Sequence, residues 1–158
     1  MEIQGLGGVT AIAAGADTAY ALRRDGSVWA WGDDSFGALG TPIKRQFVEQ
    51  PTRVLGLANV VAMAAGSDTA YALLRDGTVW AWGRGADGEL GDGNATNRVV
   101  PTRVLTRAPV KYVEGGGAMA YALDRSGQIW SWGSGFYGQL GNGYRMSLDE
   151  PTRVLTLP

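Results

Sequence analysis

The sequence predicts an all-β chain built as three stacked four-stranded sheets, and three observations carry that prediction. Residues 19–32 return with little change as residues 70–83 and 120–133, so the 158-residue chain is a tandem array. Aligning Tyr20, Tyr71 and Tyr121 gives a period of 51 and then 50 residues. Each copy alternates apolar positions on either side of Asp25-Gly26, Asp76-Gly77 or Ser126-Gly127, the pattern of a β-hairpin closed by a tight turn with positive φ. Nowhere does the chain show a useful length of amphipathic helical period.

The elements follow in chain order. Residues 1–6 align with residues 52–57, placing Ile3 on Val54 and Leu6 on Leu57, a worn copy of a segment that later reads Pro-Thr-Arg-Val-Leu. Residues 9–14 form a short apolar strand ending at Gly15, repeated before Gly66 and Gly116. The hairpin comes next. On its outgoing strand Trp29 and Trp31 share one face and Val28 and Ala30 the other, while Tyr20 and Leu22 alternate with Ala19 and Ala21 on the incoming one. Sheets with a bulky and a small face are expected to stack large on small. After the hairpin come glycine-punctuated loops, residues 32–40, 83–91 and 133–141, and then a polar connection to Pro51, Pro101 or Pro151. The first connection is one residue longer and carries Lys44, Arg45 and Phe47, which accounts for the step from 50 to 51.

Composition narrows the function classes. With 45% hydrophobic residues the chain has a core to bury, and its 25 glycines recur at fixed repeat positions, as turns require. Net charge is −1 and the basic residues are scattered along the sequence, which argues against the clustered patch a nucleic-acid surface needs. There is no cysteine and no histidine, so thiolate metal sites, cysteine nucleophiles and the commonest general base are excluded. No apolar run approaches the roughly 20 residues of a membrane span, and residues 1–5 lack a basic leader pattern. Neither a membrane nor a cofactor is expected, and the compartment is left open.

The ordered elements Ala-Gly, Ala-Leu, Asp-Gly-x-Val-x-x-Trp-Gly, x-x-Gly-x-Leu-Gly and a later proline, at about 50 residues, resemble the regulator of chromosome condensation repeat family, in three copies across the chain. The resemblance implies a β-propeller with four antiparallel strands per blade, and partners such as small GTPases served as exchange-factor targets, chromatin, or enzymes that the propeller inhibits. Many such repeats carry a histidine shortly after Ala-Gly. Here Thr18, Thr69 and Met119 stand near that place, so any role of that histidine is absent.

Several motifs are better read as structure. Residues 83–88 and 133–138 spell a dinucleotide fingerprint, but no helix-forming sequence follows to hold a pyrophosphate, and the first repeat lacks the middle glycine. Asp87, Glu89 and Asp92 suit calcium by chemistry and not by spacing. Asp25 and Asp76 are expected as turn formers, and Arg53, Arg103 and Arg153 as structural contacts or a solvated strand edge. Trp29, Trp31, Trp80, Trp82, Trp130 and Trp132 occupy the same two repeat positions and are assigned to the core.

Residues that differ between copies are the more informative ones, because the scaffold does not dictate them. They gather after the Trp-Gly: Asp33, Asp34 and Phe36, then Arg84 and Asp87, then Phe136 and Tyr137. Aromatic and charged groups on loops of a rigid sheet suit protein recognition; the alternative is that the aromatics fold back over their own blades. The expected function is a non-enzymatic protein–protein interaction module. Alternatives are a self-assembling structural unit or a fragment of a longer propeller, and an exchange-factor-like regulator of a small GTPase. Blades are expected at residues 1–50, 51–100 and 101–150, with residues 151–158 an extra strand for a neighbouring blade. Two copies would then close a six-bladed homodimeric ring.

Overall fold

The computed structural model describes residue 3 and residues 5–43 and 45–155. Twelve strands form three antiparallel meanders. Blade 1 contains β1 (Val9–Ala14), β2 (Thr18–Arg23), β3 (Val28–Asp33) and β4 (Phe47–Arg53). Blade 2 contains β5 (Val60–Ala65), β6 (Thr69–Leu74), β7 (Val79–Gly83) and β8 (Arg98–Arg103). Blade 3 contains β9 (Val110–Gly116), β10 (Met119–Asp124), β11 (Ile129–Gly133) and β12 (Leu148–Arg153). Strand order in each sheet follows chain order.

The expected blade boundaries are therefore shifted. Arg153 lies opposite Trp130 and Thr152 opposite Ser131, so Pro-Thr-Arg is the outer strand of its own blade and not a strand lent to a neighbour. Proline is tolerated there because an edge strand leaves one side of its backbone unpaired. Lys44 and residues 156–158 lie outside the described residues.

Hairpin register also corrects the expected large and small faces. Tyr20 pairs with Ala30 and Trp31 with Ala19, and directly opposed residues project on one side of a sheet. Each face thus carries one bulky strand and one small one: Tyr20, Leu22, Val28 and Ala30 on one side, Ala19, Ala21, Trp29 and Trp31 on the other. The tyrosine face of one blade packs on the tryptophan face of the next. Tyr20 meets Trp82 edge-on with ring centroids 6.1 Å apart, and Tyr71 meets Trp132 the same way at 6.1 Å.

One loop carbonyl locks each junction. The Ala38 oxygen accepts the Tyr20 hydroxyl at 2.7 Å and the Trp82 indole N–H at 2.8 Å. The Glu89 oxygen does the same for Tyr71 and Trp132, both at 2.8 Å. This buries two polar groups with a shared acceptor, as an apolar junction requires, and explains why tyrosine, tryptophan and the loop Leu-Gly recur together. The assignment of all six tryptophans to the core needs refinement: Trp82 and Trp132 are fully buried, whereas Trp29, Trp31, Trp80 and Trp130 are half-buried.

The Trp-Gly dipeptide sets the site that follows. Gly32 has φ +109°, and a Cβ there would lie 2.2 Å from the Asp17 carbonyl, which accepts the Asp33 N–H at 2.9 Å. Only glycine fits that left-handed, crowded position, and the bulge it creates turns the chain out of the sheet into the loop.

Candidate functional site: the loops after Trp-Gly

The variable residues lie on these loops, and each blade holds its loop with a different side chain. In blade 1 Asp34 is buried and its carboxylate accepts the Leu39 N–H at 3.1 Å, while Asp33 accepts the Ser35 N–H and hydroxyl at 3.1 and 2.6 Å. In blade 2 the buried Glu89 accepts the Asp87 N–H at 2.7 Å. In blade 3 the Gln139 side chain accepts the Tyr137 N–H at 2.8 Å. Asp34 is therefore a framework residue with its carboxylate turned inward, which removes it from the set available to a partner.

Arg84 joins the loops of blades 1 and 2. Its guanidinium lies 3.2 Å from the Asp87 carboxylate and 3.6 Å from that of Glu89, and stands 5.8 Å from the centre of the Phe36 ring. Burial pushes the Glu89 carboxyl up, with the loop N–H groups and Arg84 opposing. Asp92 pairs with Arg98 at 2.7 Å. Two of the three carboxylates first read against calcium thus serve arginine directly within the loop and the third, Asp92, braces the connection to β8.

Phe136 and Tyr137 do not fold back over their blade; they are 60% and 92% exposed. Phe36 is also exposed, at 37%, with the Arg84 guanidinium over its ring. The structure brings Phe36, Arg84 and Asp87 into one cluster and leaves Phe136 and Tyr137 on the next blade as an apolar prominence. The cross-blade Phe36–Arg84 contact was not legible in the sequence, since nothing in the repeat pairs position 36 with position 84. The chain after Gly83 and Gly133 forms turns and not helix, so the glycine fingerprints have no helix terminus to present.

The arginines that are scattered in sequence are not scattered in space. Arg23, Arg24, Arg53, Arg75, Arg103, Arg107, Arg125 and Arg153 all fall at the hairpin end of the sheets. Among the described residues none of them has a carboxylate within 4.0 Å; the ion pairs are those of Arg84 and Arg98 on the loop side. Scattered sequence positions were therefore a poor guide to charge clustering, because two or three arginines per repeat become a row when repeats stack.

A profile of the regulator of chromosome condensation (RCC1) repeat matches residues 25–73, 76–123 and 126–158, and a second profile of the same repeat matches residues 9–38 and 60–89. The chain belongs to the RCC1 repeat family. Human E3 ubiquitin-protein ligase HERC2 is 35% identical over 94 residues, 58% of this chain and 2% of that protein. Yeast RCC1 (Prp20) bound to Kap60 superposes with a TM-score of 0.87 at 28% identity, covering 96% of this chain and 38% of that one. Prp20p from Saccharomyces cerevisiae, described with its binding properties to Gsp1p and histones, gives a TM-score of 0.86 at 28% identity over 96% of this chain and 39% of that one. The chain spans well under half the length of these relatives, and its three four-stranded sheets match blades of RCC1 β-propellers. Among the described residues no helix is long and apolar enough to cross a membrane.

Proposed function

We propose that this chain is a non-enzymatic interaction module that presents the loops after Trp-Gly to a protein partner. The observation that carries the reading is the exposure of Phe136 and Tyr137 on a loop whose hydrogen bonds are supplied by Gln139 and not by the aromatics. Large exposed rings without a structural task are the kind of anchor that protein interfaces use. Asp33, Phe36, Arg84 and Asp87 extend the same side of the array, with the Arg84 cluster as a charged neighbour to the apolar prominence. Small GTPases and histones are the first partner classes to try, given what Prp20p is described as binding. Exchange activity on a small GTPase is the second reading, and a second copy of the chain completing a six-bladed ring is a further association.

The test is capture of a Gsp1-type GTPase and of histone complexes by the wild-type chain and by Phe136→Ala/Tyr137→Ala. Loss of capture with an unchanged melting transition supports the loop site. Equal capture by both proteins, or loss of folding in the variant, overturns it.

A further inference from the structure

The arginines at the hairpin end keep their charge uncompensated for a reason built into each turn. Among the described residues three carboxylates share that end with them: Asp25, Asp76 and Asp124. Each is taken by its own turn. Asp25 accepts the Ser27 hydroxyl at 2.6 Å, Asp76 that of Thr78 at 2.7 Å, and Asp124 that of Ser126 at 2.6 Å together with the Trp130 indole N–H at 3.0 Å. Carboxylates so engaged close the hairpins and leave the guanidinium groups without a counter-charge. Because the net charge of the chain is only −1, the excess of carboxylates lies toward the opposite, loop end.

Register puts one arginine at the same place in every blade. Arg53 lies opposite Trp29, Arg103 opposite Trp80 and Arg153 opposite Trp130, each exposed on its outer strand. The row belongs to the repeat and not to the ends of the array. Blade 2 is flanked on both sides, yet Arg75, Arg103 and Arg107 are all exposed, and among the described residues none of their side chains donates a hydrogen bond. Arg103 and Arg107 line a cleft of about 150 Å³ between the blade 2 turn, Asp76-Gly77-Thr78, and Pro109 on the way to β9. The row also crosses the junction between blades: the Arg125 guanidinium stands 3.5 Å from the Arg75 carbonyl oxygen.

We propose that the hairpin end is a second docking surface, which takes an extended acidic protein segment laid across the blades. Guanidinium forks match carboxylates two N–H groups at a time. A segment in the polyproline II conformation has about three residues per turn and rises about 3.1 Å per residue. Carboxylates at every third position therefore fall on one side about 9 Å apart, close to the roughly 10 Å between stacked sheets, so each meets one outer-strand arginine. Duplex nucleic acid fits less well. It brings one charge per about 1.7 Å, far denser than arginines set a sheet apart, and Asp25 and Asp76 stand exposed among them. The surface lies at the other end of the strands from the loops after Trp-Gly, so it goes beyond that reading and does not rest on it.

Fluorescence anisotropy of a labelled peptide with glutamate at every third position, titrated with the full chain, tests the proposal. The expected result is saturable binding that weakens as salt is raised. Arg103→Gln/Arg107→Gln should weaken it about tenfold. Arg45→Gln/Arg145→Gln removes the same charge from exposed loop-end positions and should change it less than about twofold. Should the first pair disturb the circular dichroism, Arg75→Gln carries the comparison, with an expected loss of about threefold. Absence of peptide binding, equal loss in the hairpin-end and loop-end variants, or tighter binding of a DNA duplex or of an anionic vesicle overturns it. Capture through Phe136 and Tyr137 should be unchanged in every arginine variant, so the two readings fail separately.

Discussion

Replacing Trp82 and Trp80 in turn separates the junction tryptophan from its neighbour two residues away on the same face. Trp82 is fully buried, packs edge-on against Tyr20 at 6.1 Å and donates to the Ala38 carbonyl at 2.8 Å. A tryptophan buries about 150–250 Å², and an edge-on pair adds about 0.5–1.5 kcal/mol beyond area. At about 25 cal/mol per Å² the ring is worth roughly 4–6 kcal/mol as an upper figure, so Trp82→Ala should cost about 4–5 kcal/mol, within the range of such truncations. The Ala38 carbonyl keeps the Tyr20 hydroxyl, so no buried acceptor is orphaned. Trp80 is half-buried and, among the described residues, its indole makes no hydrogen bond, so Trp80→Ala should cost about half as much, near 2 kcal/mol. Urea unfolding of both variants at one protein concentration, read by linear extrapolation, measures the difference. Equal costs, or a larger one for Trp80, would refute the junction as drawn.

Other outcomes follow from the same geometry. Asp34→Ala removes the acceptor of the buried Leu39 N–H and should cost about 1–3 kcal/mol by the same urea assay, whereas Asp33→Ala should stay within about 0.5 kcal/mol. Asp124 is held from 3.8 down to about 2, first by the Ser126 hydroxyl and then by the Trp130 indole and neighbouring N–H groups. A depressed carboxyl stabilises above its unfolded pKa, and that stability is lost as pH falls. Asp124→Asn should therefore melt below wild type at pH 7, with the gap closing between 3.8 and about 2; a gap that persists below that window contradicts the assignment.

Repeat length, strand count and hairpin turns were legible because they rest on local chemistry: Asp25 and Asp76 do accept the N–H and hydroxyl of Ser27 and Thr78. What the sequence hid was register and neighbourhood. A period-two pattern says which residues of one strand share a face, but not that Trp31 would lie across from Ala19. Pro51 and its repeats looked like a beginning and proved to be the end of a blade, since only the sheet shows Arg53 opposite Trp29. Within the candidate site, repeat-to-repeat variation pointed to the loops after Trp-Gly but could not tell an inward carboxylate such as Asp34 from an outward ring such as Tyr137. That depends on which residue caps each loop, and the capping residue changes from blade to blade.

Hydroxyl-radical footprinting reads the central claim residue by residue: one repeat position is buried or bare according to whether a blade stands beside it. Trp31 and Tyr121 should oxidise faster than Trp82 and Tyr71, and Phe136 and Tyr137 should be reactive on their open loop. Oxidation of Trp82 at the rate of Trp31, or protection of Phe136 and Tyr137 in the chain alone, would contradict the account.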